Sequence, residues 1–173
     1  CNTPANSNNL PTPTHVPTIA SLQAYLNQVY GKQANIFFTV TQSNKPVNYD
    51  LNRDGKVPDP PNPTVRTSEM QNISDCAINP FVDFNIYFVN EMNAPSATSL
   101  PKFGEAWIQD IHAESPENIA AHEIGHLLNL VHYGSLVNPG TAADKRQLMY
   151  FQTVIGFHDP CNLRKIEWDA LNQ

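Results

Sequence analysis

Apolar side chains at Ile19, Leu22, Leu26, Val29 and Tyr30 recur at helical spacing and stop at Gly31, so the pattern predicts a helix over 19–30. Residues 35–41 are rich in β-favouring side chains and predict a strand. From Thr41 to about Ser74 the chain is polar and repeatedly broken by proline, which predicts irregular structure. The apolar run from Phe81 to Asn90 predicts a central strand, and Phe103 to Ile111 predicts another. Ser115-Pro116-Glu117 then supplies an N-cap, a proline at the first helical position and an acid in the first turn, so a helix should run from about Pro116 to about Leu128. Leu163, Ile166 and Leu171 predict a closing helix over 162–171. Residues 1–17 are rich in Asn, Thr and Pro, lack periodicity, and read as an extended arm or tether, which leaves 18–173 as one domain. This order of elements fits an α+β fold, with a small sheet above the helix that starts at Pro116.

A chain of 173 residues with 40% hydrophobic content is long enough for a single core. A net charge of -6 with no basic cluster excludes nucleic acid as the expected partner. Charged residues make up only 15% of the chain, while Asn, Thr and Pro are plentiful, a balance that suits an exported protein better than a cytosolic one; a monomer is the expected state. No apolar stretch is long enough to span a membrane. Three cysteines leave one odd: in an oxidising compartment Cys76 is expected to pair with Cys161, leaving Cys1 free or modified. Cys1 followed by Asn, Thr, Pro and Ser resembles the start of a bacterial lipoprotein, with lipid on the cysteine and the polar stretch as tether. An ordinary disulfide half or a trimmed end accounts for Cys1 equally well.

The candidate chemistry lies in His122-Glu123-Ile124-Gly125-His126-Leu127-Leu128-Asn129-Leu130-Val131-His132. Residues four apart on a helix share a face, so His122 and His126 can offer two imidazoles to one ion. His132 follows six residues later and, on a continued helix, would point about 120° away and lie about 9 Å further along. It joins the pair only if the helix stops in between and the chain turns back. Asn129 is the residue there that best tolerates a left-handed backbone. Three neutral imidazoles with a fourth position open for water favour zinc.

These residues resemble the metzincin clan of zinc metallopeptidases, whose signature is H-E-x-x-H-x-x-G-x-x-H followed by a methionine turn. The match falls on His122, Glu123, His126 and His132 and departs at Asn129, where the family usually has Gly. Gln147-Leu148-Met149-Tyr150 is the candidate turn, seventeen residues on to Met149, and is closest to the matrixin branch. The resemblance implies Met149 as an apolar floor beneath the metal, a small twisted mixed sheet packed on the active-site helix, and a small C-terminal subdomain ending in a helix. Phe151 stands where astacin-like and serralysin-like enzymes carry a tyrosine, so no tyrosine ligand is expected. A glutamate ligand from a later helix would have to be Glu167, whose surroundings do not look like a ligand helix. The prosegment motif by which a matrixin cysteine holds the zinc is also absent.

The expected activity is zinc-dependent endopeptidase cleavage of proteins or peptides. Glu123 would take a proton from a water whose pKa zinc lowers toward about 7, and pass it to the leaving amine. The substrate is expected to add as a strand along Phe103–Ile111, with Phe103, Trp107 and Tyr150 among its contacts. Leu127–Asn129 and Tyr150–Phe157 would wall the pocket, and Tyr133 either lines the cleft or is structural. The alternative is an inactive zinc-stabilised surface binding or adhesion domain, in which Glu123 has little purpose. A second metal motif runs through Asp50, Asn52 and Asp54 to Gly55, with Asp59 beyond: either a calcium loop or an Asp-Gly turn without metal. Its twelfth position is Pro61, which excludes an EF-hand. Asn72-Ile73-Ser74 fits a glycosylation acceptor in a eukaryotic source.

Overall fold

Helix and strand boundaries come from a computed structural model that describes residues 10–43, 50–77, 79–93, 97–110, 115–132 and 149. In chain order the elements are α1 (Ile19–Leu26), a π-helical turn (Asn27–Gly31), α2 (Lys32–Ala34), α3 (Ser68–Ala77), β1 (Asn85–Val89), β2 (Ala97–Leu100), a 3-10 turn (Pro101–Phe103), β3 (Glu105–Gln109) and α4 (Pro116–Leu127). The fold is α+β. The described residues group into two units, one within Cys1–Val16 and Gln42–Ile111, the other within Pro17–Thr41 and His112–Gln173. The closing helix expected over 162–171 lies outside the described residues.

The first unit is built on a three-stranded mixed sheet in the order β1-β3-β2. β1 runs parallel to β3, with Ile86 opposite Ala106 and Phe88 opposite Ile108, and β2 runs antiparallel to it, with Ser99 opposite Ala106. The strand expected to be central, within 81–90, therefore forms one side, and β3 takes the centre. β3 is also the more deeply covered strand: Glu105, Ala106, Trp107 and Ile108 are all buried in succession, so both of its faces are covered, whereas β1 is only half-buried over most of its length. Phe81 and Val82 fall outside the strand in an exposed turn. β2 and β3 are joined by the 3-10 turn and Gly104, whose φ is 66° and where a Cβ would come within 2.8 Å of the Asp83 carbonyl oxygen. Only glycine meets both conditions there.

α3 and β2 were not legible in the pattern. α3 begins after Thr67, whose hydroxyl and carbonyl accept the Met70 and Gln71 amides. Its apolar positions, Met70, Ile73 and Cys76, sit three apart in an otherwise polar sequence. Met70 and Ile73 join Val57, Val89, Met92, Leu100 and Trp107 in the core, with Cys76, Tyr87, Leu51, Phe103 and Leu10 packed against it. Tyr87 stacks on Trp107 with ring centroids 4.2 Å apart.

The carboxylate of Glu105 is fully buried in this unit. Glu105 receives Arg66 Nε at 2.9 Å on one oxygen and Arg66 Nη2 at 2.7 Å on the other, and also accepts the Ser74 hydroxyl. Arg66 lies 4.0 Å over the Phe103 ring. A bidentate guanidinium with an aromatic face is the arrangement that compensates a desolvated carboxylate best. The Tyr87 hydroxyl also faces Glu105, and burial pushes its pKa up to about 12.

The end of the expected N-terminal arm is tied to this unit. Thr14 donates to Asp110 from its amide and its hydroxyl, and His15 approaches the same carboxylate through its amide at 3.2 Å and Nδ1 at 2.8 Å. Burial alone would raise the Asp110 pKa, but these bonds outweigh it and hold the carboxyl at about 2.

In the second unit, Thr18 caps α1 by accepting the Ser21 amide, and Leu22, Leu26, Val29 and Tyr30 are buried as the spacing predicts. The helix runs past Gly31 through the π-turn to Ala34 and stops at Asn35, whose φ is 57°. The strand expected over 35–41 is an extended segment instead. Its Phe38 amide donates to Asn27 Oδ1 at 2.6 Å and its Val40 amide to Gln23 Oε1 at 2.9 Å, so helix side chains satisfy backbone groups that a neighbouring strand would otherwise take. Tyr25 and Tyr30 reach α4, donating to Asn118 Oδ1 at 3.2 Å and to the Ala121 carbonyl at 2.6 Å.

Two outcomes follow. Arg66→Ala strands the Glu105 carboxylate and should cost about 3 kcal/mol in denaturant unfolding; an unchanged midpoint would show that the pair is not a support of the core. The lowered Asp110 pKa means that its contribution is complete above the ordinary value of 3.8 and is lost as pH falls through about 2. Asp110→Asn should therefore flatten the acid limb of the stability-against-pH curve, measured by thermal melts.

Candidate metal centre

α4 starts where its sequence dictates: Ser115 accepts the Asn118 amide, Pro116 fills the first turn and Glu117 follows. Its end is a paired set of backbone bonds. The Asn129 amide donates to the His126 carbonyl and the Leu130 amide to the Gly125 carbonyl, both at 2.9 Å, around an Asn129 φ of 66°. This is a Schellman motif with asparagine in the left-handed position.

The stop brings the third histidine back. His132 Nε2 lies 3.0 Å from His122 Nε2 and 2.9 Å from His126 Nε2. Among the described residues this is the one trio of His, Cys, Asp or Glu whose ligand atoms all lie within 4.8 Å of one another, and it could hold a metal ion. Tetrahedral coordination at zinc–imidazole distances places ligand nitrogens about 3.3 Å apart, a few tenths of an ångström from the separations seen. His126 Nδ1 is 2.9 Å from the Leu130 carbonyl oxygen. A carbonyl can only accept, so Nδ1 carries the proton and the neutral ring offers its Nε2 lone pair to the cluster. Burial lowers the pKa of His126, against a smaller opposing effect of the Leu130 bond. Burial, then the neighbouring His126, lowers that of His132. Both shifts favour the neutral form that a metal requires.

Beneath the helix, Gly125 and Met149 meet. A Cβ at position 125 would run into Met149 Sδ and come within 3.1 Å of Tyr30 Oη. Met149 is fully buried, against the helix turn that joins His122 to His126. The sequence pattern marks Tyr30 only as an apolar helix position and gives Gly125 no role of its own; a glycine in mid-helix, unfavourable by about 1 kcal/mol relative to alanine, is the signal it offers for Gly125. Glu123 follows His122 directly and is 6% exposed. On the solvent side, Val131 leaves 78% of its surface open beside His132.

Other sequence candidates fall elsewhere. Trp107 is completely buried and stacked on Tyr87, so its expected contact with substrate is corrected to a core role. Phe103 is half-buried under Arg66 and packs on the same core. β3 has β1 on one side and β2 on the other, so its backbone is taken and substrate cannot add to 105–109 as a strand. Cys76 is disulfide-bonded. Cys1, Cys161, Tyr133, Tyr150 and 151–157 lie outside the described residues. Asp50, Asn52 and Asp54 share one hydrogen-bonded loop, whereas Asp59, past the bridge that pairs Val57 with Met92, is exposed. No helix among the described residues is long and apolar enough to cross a membrane.

Comparisons with family models, with curated proteins and with solved structures return no match.

The helix stop is directly testable. Asn129→Gly should keep zinc affinity, while Asn129→Val, which resists a positive φ by about 1–2 kcal/mol, should weaken it roughly tenfold in a chelator competition titration. Equal affinity in both would detach the left-handed turn from the metal centre.

Proposed function

We propose that the chain is a zinc-dependent endopeptidase of the metzincin type, exported from the cell. The observation that carries this reading is the convergence of His122, His126 and His132 Nε2 atoms next to a buried Glu123. Three imidazoles suit zinc, and the helix–turn–return that joins them is the local shape the extended H-E-x-x-H motif requires. Met149 against Gly125 is consistent with the methionine turn. A disulfide-bonded Cys76 supports an oxidising compartment.

The protein's own residues divide the work. His122 and His126 would hold the metal from a rigid helix, and His132 would close the set from the turn. The Leu130 carbonyl keeps His126 in the tautomer whose Nε2 lone pair faces the other two histidines. Zinc would supply Lewis acidity, making water more acidic and a peptide carbonyl more electrophilic. Glu123 would accept the proton of the attacking water and return it to the departing amine, so a single carboxylate serves as base and then as acid. Tyr30, fixed to the Ala121 carbonyl, would keep the ligand helix in place.

The experiment pairs metal analysis with peptide-library cleavage for the wild type and Glu123→Gln. One zinc per chain in both proteins is expected, with cleavage reduced at least about 100-fold in the variant. Zinc in both with cleavage in neither would favour the inactive binding domain, and equal cleavage by both would remove Glu123 from the chemistry.

A further inference from the structure

We infer that the loop Asp50–Lys56 and the first turn of α3 together form a calcium site, closed by Glu69. The loop presents Asp50, Asn52 and Asp54 at alternate positions, turns at Arg53 and Gly55 with φ of 64° and 77°, and continues to the Lys56 carbonyl. That spacing of oxygen groups is the first half of a calcium loop, which then needs a carboxylate from further along the chain. Asp59 was the sequence candidate for it. The structure assigns Glu69, nineteen residues after Asp50, which the sequence alone gave no reason to choose.

Glu69 is only 3% exposed, and its Oε1 accepts the Leu51 amide at 2.5 Å and the Asn52 amide at 3.0 Å, so its carboxylate lies against the loop. Its other oxygen, Oε2, is buried and, among the described residues, accepts no hydrogen bond. A buried carboxylate oxygen without a partner is costly, and a cation at that point would satisfy it. Asp50 is 2% exposed; its two oxygens accept the Asp54 amide at 3.1 Å and the Gly55 amide at 2.9 Å. Asn52 Oδ1 accepts the Asp54 amide at 3.0 Å, Asn52 Nδ2 donates to Asp54 Oδ2 at 3.0 Å, and Asp54 Oδ1 accepts the Lys56 amide at 2.9 Å. Each such bond occupies one lone pair of an oxygen and leaves another for a metal. Burial raises the Glu69 pKa, its two backbone bonds oppose the rise, and the charges of Asp50 and Asp54 reinforce it. Lys56 directs its ammonium to Glu91 at 2.5 Å.

The three carboxylates do not converge as tightly as the three histidines do. Asn52 Oδ1 and the Lys56 carbonyl would complete an all-oxygen set of mixed charge, which suits calcium rather than the small octahedral shell of magnesium. Binding would lock the loop to α3. Leu51 and Val57 flank the loop and pack with Met70 of α3 in the same core, so the cation would stabilise that core from its edge.

The test is calorimetric titration of calcium chloride into the full chain, first freed of metal and then supplied with one equivalent of zinc, with thermal melts alongside. One calcium per chain and a raised melting temperature are expected, with magnesium giving a much smaller response. Asp54→Asn and Glu69→Gln should each lower calcium affinity at least tenfold, while Asp59→Asn should leave it unchanged. Should Glu69→Gln fail to fold, Asp54→Asn, on an exposed side chain, decides alone. Absence of calcium uptake at millimolar concentration, an equal response to magnesium, or wild-type affinity in Asp54→Asn or in a folded Glu69→Gln would overturn the site.

Discussion

The candidate metal centre depends on one backbone event, the left-handed turn at Asn129. A helix that continued past His126 would carry His132 away from the other two imidazoles. Stopping it leaves carbonyls without intrahelical donors, and the Asn129 and Leu130 amides take two of them. The same turn positions the Leu130 carbonyl on His126 Nδ1, so a single local structure ends the helix, returns the third ligand and sets the tautomer of the second. Asparagine serves because its short polar side chain tolerates a positive φ better than any residue except glycine.

A comparable economy holds in the sheet unit, where buried carboxylates organise their surroundings. Glu105 begins the central strand and gathers Arg66 and Ser74, drawing the residues before α3 and the helix itself to the sheet. Glu69 does the same for the 50–56 loop through two backbone amides. In both cases the cost of removing charge from water is offset by several donors held in place.

The elements that were readable share a strong local signal. α4 has a capping serine, a proline at its start and a residue suited to its stop, and α1 has regular apolar spacing. The misread elements lack one. The segment 35–41 has strand-like side chains, but its backbone partners are Asn27 and Gln23, and no local pattern reveals that a helix amide will do a strand's work. α3 gives a weak pattern because its buried side is narrow and the rest of it is polar. β3 reads from its sequence as an exposed edge, because the short run Glu-Ala-Trp-Ile-Gln carries no sign of the strands that pair with it on both sides.

The sequence by itself determined the ligand spacing, the need for a break after His126 and the residue able to make it, because these depend on helix geometry and on the φ that one residue tolerates. Tertiary structure decided which strand is central, that Trp107 belongs to the core, that Met149 lies against Gly125, and that Glu69 rather than Asp59 faces the 50–56 loop. These are contacts between residues distant along the chain. Their selection rests on packing and on the pairing of buried polar groups, which no stretch of local sequence contains.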